Sequence, residues 1–218
     1  MQSFSNKKII LTGSTGYIGS AFLKLLKKNN IFYTTLGRNK IVNKYHKYFI
    51  FDDMNLPDNL LDNYDYLIHF ASLSHTNITN EEIVKKNILD PSIYLAKKAL
   101  KSKLKKFIYI SSVKAIKNEN NKIDNTTDLY GYYKYLTENK LIEIFNNSST
   151  NLIIIRPALV YGGYNIKGNL NILNKYISKS PIVILPKIIN KRSMIHIDNL
   201  IHGIYQITFS NTNHEKTF

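Results

Sequence analysis

Twenty residues near the N-terminus, "KKIILTGSTGYIGSAFLKLL" (7–26), constrain this chain more than any other stretch. A short apolar run ends in three glycines, Gly13, Gly16 and Gly19, which lead straight into apolar residues at helical spacing. Strand, tight turn and helix in that order are the context in which such glycines carry meaning. Gly13 permits the sharp turn, Gly16 lets the backbone approach a pyrophosphate, and Gly19 allows close helix–sheet packing. Phosphates would rest at the helix N-terminus, where free N–H groups and the dipole favour anions. A purely structural strand-to-helix turn is the competing reading.

The rest of the chain repeats the alternation. Strand candidates are "KIILTG" (8–13), "FYTTLG" (32–37), "YFIFDD" (48–53), "YLIHFA" (66–71), "FIYISS" (107–112) and "LIIIRPA" (152–158). Helix candidates lie near 17–29, 80–101 and 131–147. Continuous apolar strands separated by helices predict a parallel sheet covered on both faces, hence a doubly wound α/β fold. From about residue 162 the pattern loosens into loops rich in Gly, Asn and Pro, which predicts a less regular second lobe.

Composition removes several function classes. An apolar fraction of 44% in 218 residues is that of a globular chain. With no cysteine there is no disulfide, zinc–thiolate site or cysteine nucleophile, and no metal site is expected. The N-terminal "MQSFSNKKIILTG" lacks the apolar core of a secretory signal, and no run approaches the roughly 20 residues of a membrane span. A soluble cytoplasmic protein with no membrane partner is expected. The net charge of +15 is nearly all lysine spread along the chain. Its densest run, "KKALKSKLKK" (97–106), reads as the wet face and end of one helix. Nucleic acid is therefore not the expected partner, whereas a basic surface suits an anionic small substrate.

The glycine spacing, TGxxGxxG from Thr12 to Gly19, resembles the extended, sugar-nucleotide-modifying branch of the short-chain dehydrogenase/reductase superfamily. The resemblance implies a Rossmann fold with an NAD(P)-binding domain over 1–161 and a partial substrate-binding lobe over 162–218. It also implies that the chain ends, at "HEKTF", where the subgroup would enter another strand and a further helical part of the lobe. The end of the second strand chooses the cofactor. An acid there accepts the ribose hydroxyls of NAD, but here Gly37 stands in its place and Arg38 follows. A guanidinium can clamp a phosphate through two parallel bonds, so NADP is expected first and NAD second. Arg38 as a plain surface residue is the alternative. By resemblance, Thr15, Tyr17 and Ile18 in the turn join the three glycines in cofactor binding. Asp53 matches the adenine-contacting aspartate, with Asp52 as the competing register, and Met54 follows it. Phe70, Ala71 and Ser72 match the loop beneath the pyrophosphate, and Asn87 matches an asparagine that props up the active-site strand. Pro157 completes the cofactor set.

"ISSVKAIKNE" (110–119) and "YGYYKYLTE" (130–138) carry the chemistry. On a helix Tyr130 and Lys134 lie one turn apart, and an ammonium beside a phenol lowers the phenol's pKa. Ser112, at a strand end, can hydrogen-bond a substrate carbonyl. The three match the superfamily's Ser–Tyr–Lys triad, with Lys134 also holding the nicotinamide ribose. Tyr133 stands where the family usually has Ser. A second YxxxK pair, Tyr94 and Lys98, has no strand-end serines leading into it and reads as structural.

"IIIRPALVYGGYNIKGNLNILNKY" (153–176) and "NKRSMIHIDNLIHGI" (190–204) look like a subgroup similar to UDP-glucose 4-epimerase that includes reductases of UDP-N-acetyl-4-keto-6-deoxyhexosamines. Leu159 stands where the more common branch pattern has an asparagine. Lys114, Asn169 and Arg192 are then the substrate contacts, against a loop cap for Asn169 and a surface salt bridge for Arg192. The 4,6-dehydratases carry Asp-Glu after the strand-end residue, whereas this chain has Val113 and Lys114, which argues against dehydration. The expected reaction is NADP-dependent reduction of the C4 keto group of a nucleotide sugar, for surface-polysaccharide synthesis. The alternative is a 4-epimerase with bound NAD. A non-catalytic nucleotide-binding scaffold or sensor is a third reading, one with no need of Tyr130 and Lys134. A homodimer follows from the resemblance alone.

Overall fold

A computed structural model of the chain describes residues 7–37, 48–50, 55–73, 80–115, 128–163, 176–179, 192–210 and 216–218. In chain order the elements are β1 (Ile9–Thr12), α1 (Tyr17–Lys28), β2 (Tyr33–Gly37), β3 (Tyr48–Ile50), β4 (Tyr66–His69), α2 (Glu81–Leu100), β5 (Lys106–Ile110), α3 (Leu129–Phe145), β6 (Asn151–Ile155), β7 (Leu159–Tyr161), β8 (Met194–His196), α4 (Ile197–Phe209) and β9 (Lys216–Thr217). Seven strands form one parallel sheet in the order β3-β2-β1-β4-β5-β6-β9. The chain runs outward one way from β1 and then returns to build the other half from β4. The crevice between β1 and β4 is the switch point where doubly wound sheets bind ligands.

The strands read as unbroken apolar runs because both faces are covered. Ile9 and Leu11 of β1, Ile108 and Ile110 of β5, and Ile153 and Ile155 of β6 pack with α1 and α4. Their alternates Ile10, Phe107, Tyr109, Leu152 and Ile154 pack with α2 and α3 on the opposite face. A period of two is present, but both phases are buried.

Two elements differ from the sequence reading. Beyond residue 161 the chain returns to the main sheet. The buried residues Ile197, Leu200, Ile201 and Ile204 of α4 join the core beside α1, and β9 pairs in parallel with β6. Lys106, read as part of a solvated helix face, instead begins β5 and is 4% exposed. Its Nζ donates to the carbonyls of Ile207, Thr208 and Ser210, capping the C-terminus of α4. No helix among the described residues is long and apolar enough to cross a membrane.

Candidate active site

The β1–α1 turn is built by contact as much as by torsion. Gly13 has φ +68°, and a Cβ there would lie 2.5 Å from Ala71 N. A Cβ on Gly19 would lie 2.2 Å from the Gly13 carbonyl oxygen, so helix and turn touch backbone to backbone. Gly16 caps α1 with no side-chain hydrogen bond, and the first turn holds no acid. The leading N–H groups are thus left for an external anion. One residue beyond Ala71, which abuts Gly13, Ser72 Oγ is buried without a hydrogen-bond partner among the described residues. Open helix donors and a spare hydroxyl fit a dinucleotide diphosphate.

A buried chain of hydrogen bonds fixes this cradle. Ala71 N–H donates to Thr12 Oγ1 (3.1 Å), which lies 2.6 Å from His69 Nδ1; His69 Nε2 lies 3.0 Å from Ser92 Oγ. Ser92 commits its one proton to the Ile88 carbonyl (2.6 Å), so His69 carries its proton on Nε2 and accepts from Thr12 at Nδ1. Burial first, and the Lys134 cation second, push the imidazole down to about 3, which keeps it neutral.

At the end of β5, Ser111 N–H donates to the Ile155 carbonyl and Val113 N–H to that of Pro157, so the exit of β6 sets the exit of β5. Asp128 caps α3 and also takes the Lys114 ammonium at 2.8 Å. A Cβ on Gly131 would lie 2.2 Å from the Lys114 carbonyl oxygen, so glycine is what lets α3 start against the Ser112 turn. This brings the buried Ser112 into a hydrogen bond with the Tyr130 phenol. Lys134, 1% exposed, donates to the Ile110 carbonyl (2.7 Å) with its Nζ 4.6 Å from the Tyr109 ring centre and 5.9 Å from that of Tyr130.

The electrostatics correct one expectation. Burial pushes Tyr130 up to about 12, only partly opposed by the Ser112 hydrogen bond. Lys134 does not pull it down, because burial drives the lysine itself down to about 7, with Glu138 the opposing influence. In a dry pair of this kind each group resists charging.

Of the other residues singled out, Asn87 turns its amide back to the Ile83 carbonyl of its own helix, while Lys134 takes the Ile110 carbonyl at the strand end. Lys114 is half-exposed and ion-paired with Asp128. Arg192 is exposed just ahead of β8. Gly37 closes β2. Arg38, Asp53, Met54 and Asn169 lie outside the described residues. The second YxxxK pair clamps the segment after β3. Leu56 N–H donates to Tyr94 Oη (2.8 Å), and Lys98 Nζ donates to the Leu56 carbonyl (2.9 Å).

The model of the NAD dependent epimerase/dehydratase family matches residues 9–217. The chain belongs to that family. It is 31% identical over 214 residues to UDP-glucose 4-epimerase of Vibrio cholerae, covering 89% of this chain and 64% of that protein. The chain thus spans a little under two thirds of the length of this curated relative. Among solved structures, UDP-glucose 4-epimerase of Thermotoga maritima superposes with a TM-score of 0.78 at 21% identity, covering 97% of this chain and 76% of that one. UDP-glucuronic acid 4-epimerase of Bacillus cereus in complex with NAD gives 0.78 at 19%, with the same coverage. At these identities the likeness is one of fold.

This member of the epimerase/dehydratase family also holds residues that spacing alone had not marked. Glu138 continues the row of Tyr130 and Lys134 at four-residue steps and is buried to 1%. Arg156 meets it side-on, with Nε 3.0 and 3.1 Å from its two oxygens and a further contact from Nη2. A carboxylate on the buried row of a helix requires a cation, and the "IRP" arginine at the exit of β6 was the signal for it. Thr12, His69 and Ser92 gave no such signal. Among the described residues no cluster of His, Asp or Glu could hold a metal.

Proposed function

We propose that this chain binds a nicotinamide dinucleotide at the glycine turn and performs oxidoreduction at C4 of a nucleotide sugar. The observation that carries the reading is the meeting of Ser112, Tyr130 and Lys134 where β5 runs into α3. A bound nicotinamide supplies hydride exchange. Tyr130, kept neutral by burial, gives its proton to the C4 oxygen in reduction and is left as the phenolate; in oxidation it is this phenolate, scarce at neutral pH, that takes the proton from the C4 hydroxyl. Ser112 hydrogen-bonds that oxygen, and Lys134 holds the nicotinamide ribose. Gly13, Thr15, Gly16, Tyr17, Ile18 and Gly19 hold the diphosphate, with Phe70, Ala71 and Ser72 beneath it and Asn87 and Pro157 at its margin. Arg38, Asp53 and Met54 serve the adenosine end, while Lys114, Asn169 and Arg192 serve the sugar nucleotide.

Two reactions use this machinery. Epimerisation at C4 with the nicotinamide retained is supported by the 31% identical relative, a UDP-glucose 4-epimerase, and is the reading adopted. One-way reduction of a 4-keto-6-deoxyhexosamine with NADPH is supported by Gly37 and Arg38, which offer no acid to a ribose hydroxyl and a guanidinium to a 2′-phosphate. Pairing of two copies rests on the family resemblance alone.

Incubation with UDP-glucose and NAD, read by NMR, tests the first reaction, and formation of UDP-galactose is expected. NADPH with a UDP-4-keto-6-deoxy-N-acetylhexosamine tests the second. Tyr130→Phe slows whichever occurs by about 10²–10⁴-fold. Tight dinucleotide binding with neither turnover would assign a non-catalytic role.

A further inference from the structure

Tyr17 opens α1, so its backbone belongs to the phosphate seat, while its side chain leaves in another direction. Its hydroxyl donates to the Gly162 carbonyl at 2.5 Å, across 145 residues of chain. Gly162 follows β7 with φ +89°, and a Cβ there would stand 2.1 Å from His196 Nε2. The turn is therefore wedged between a phenol on one side and an imidazole on the other. His196 ends β8, lies edge-on to Tyr161 at 5.2 Å, and caps α4 by accepting Asp198 N–H at Nδ1 (3.2 Å). Among the described residues β7 and β8 pair only with each other, in their own two-stranded sheet. A strip that small is marginal by itself and takes its position from what holds its ends.

We propose that the Tyr17 hydroxyl is a positioning residue for the sugar-nucleotide site: it ties the β7–β8 strip, whose second strand Arg192 leads into, to the helix turn that seats the dinucleotide. The inference rests on the nucleotide-sugar reading above. Burial, and then the nearby Asp198 carboxylate, push the phenol up, so it stays a donor throughout the neutral range. Occupation of the α1 N-terminus orders the residue that holds the strip. The two ligands then bind with positive coupling.

Tyr17→Phe removes one oxygen and leaves the ring packed, so two measurements on the full chain decide the matter. Hydrogen exchange of peptides covering 159–163 and 194–197 is expected to accelerate roughly 2- to 10-fold, the worth of one hydrogen bond, with α1 unchanged. Unchanged exchange there overturns the tether. The affinity for UDP, titrated by calorimetry with and without NAD, gives the coupling factor. This factor is expected to fall toward one in Tyr17→Phe, a change that a merely structural loss of stability would not produce. An equal factor in both proteins overturns the positioning role. Failure of the unaltered protein to bind UDP overturns the nucleotide-sugar reading, and the exchange measurement alone then decides the tether.

Discussion

The Lys134 ammonium donates to the Ile110 carbonyl at 2.7 Å and stands 5.9 Å from the centre of the Tyr130 ring. The lysine is anchored to the strand that carries Ser112, and the phenol hydrogen-bonds Ser112 itself. Strand end and helix thus form one rigid corner. Tyr130→Phe keeps the corner but removes its proton. The expected result is a loss of about 10²–10⁴-fold in kcat with dinucleotide affinity retained, checked by single-turnover kinetics beside a fluorescence titration. Since burial holds the phenol up to about 12, oxidation of a C4 hydroxyl should speed up as pH rises from 7 to 9. Tyr130→Phe should flatten that rise.

Lys134 makes stability depend on pH. Its pKa is about 7 in the fold against about 10.5 in the unfolded chain, so between those values the unfolded chain binds more protons. Its cost is full below pH 7 and is relieved as pH rises toward 10.5. Lys134→Met should remove that slope. Denaturant midpoints at pH 7 and pH 9, compared between the two proteins, measure it, and a parallel change in both would refute the burial effect.

Two glycine-to-alanine substitutions should have opposite signs. At Gly131 the new methyl meets the main-chain oxygen of Lys114 at 2.2 Å, which no side-chain movement relieves. Overpacking of about 1–3 kcal/mol or more should outweigh the helix-propensity gain of about 1 kcal/mol. At Gly203 nothing lies within 4 Å, so the same change should stabilise by about 0.5–1 kcal/mol. Urea unfolding of both variants checks the contrast.

His69→Leu should destabilise by about 1–3 kcal/mol, because it takes away the acceptor of the Thr12 hydroxyl proton and the donor to Ser92 Oγ in a dry interior. His69 is held neutral with a folded pKa near 3 against about 6.5 unfolded, so the unfolded chain binds the extra proton in that window. The native protein should therefore lose stability from pH 6.5 downward more steeply than the variant. Thermal melts across that range decide it.

Lys106→Met should cost about 1.5–3 kcal/mol by taking a charged donor from the last carbonyls of α4. Hydrogen exchange should rise first in residues 204–209, and protection unchanged there would show the cap to be dispensable.

Six strands and three helices were legible because each apolar run is long enough to need cover on both faces. α4 was harder to read, since His196 caps it and is not among the usual capping residues. β9 was harder still, as two polar residues take their place only from β6. At the site, Ser112, Tyr130 and Lys134 were visible because a strand end and a helical repeat of four place them by local geometry. For Asn87 the spacing gave no sign that one amide N–H would turn to the Ile83 carbonyl of its own helix.

The linear order of residues determined by itself the alternation of strand and helix, the glycine turn and the row that carries Tyr130 and Lys134. These depend on neighbours a few residues apart, where covalent geometry limits the choices. Folding decided the rest: that Lys134 donates a hydrogen bond to the Ile110 carbonyl and is brought down to about 7 by burial, that Arg156 answers Glu138, and that Tyr17 reaches Gly162. Desolvation and long-range hydrogen bonds arise only when distant segments exclude water together, and no local pattern encodes which segments those will be.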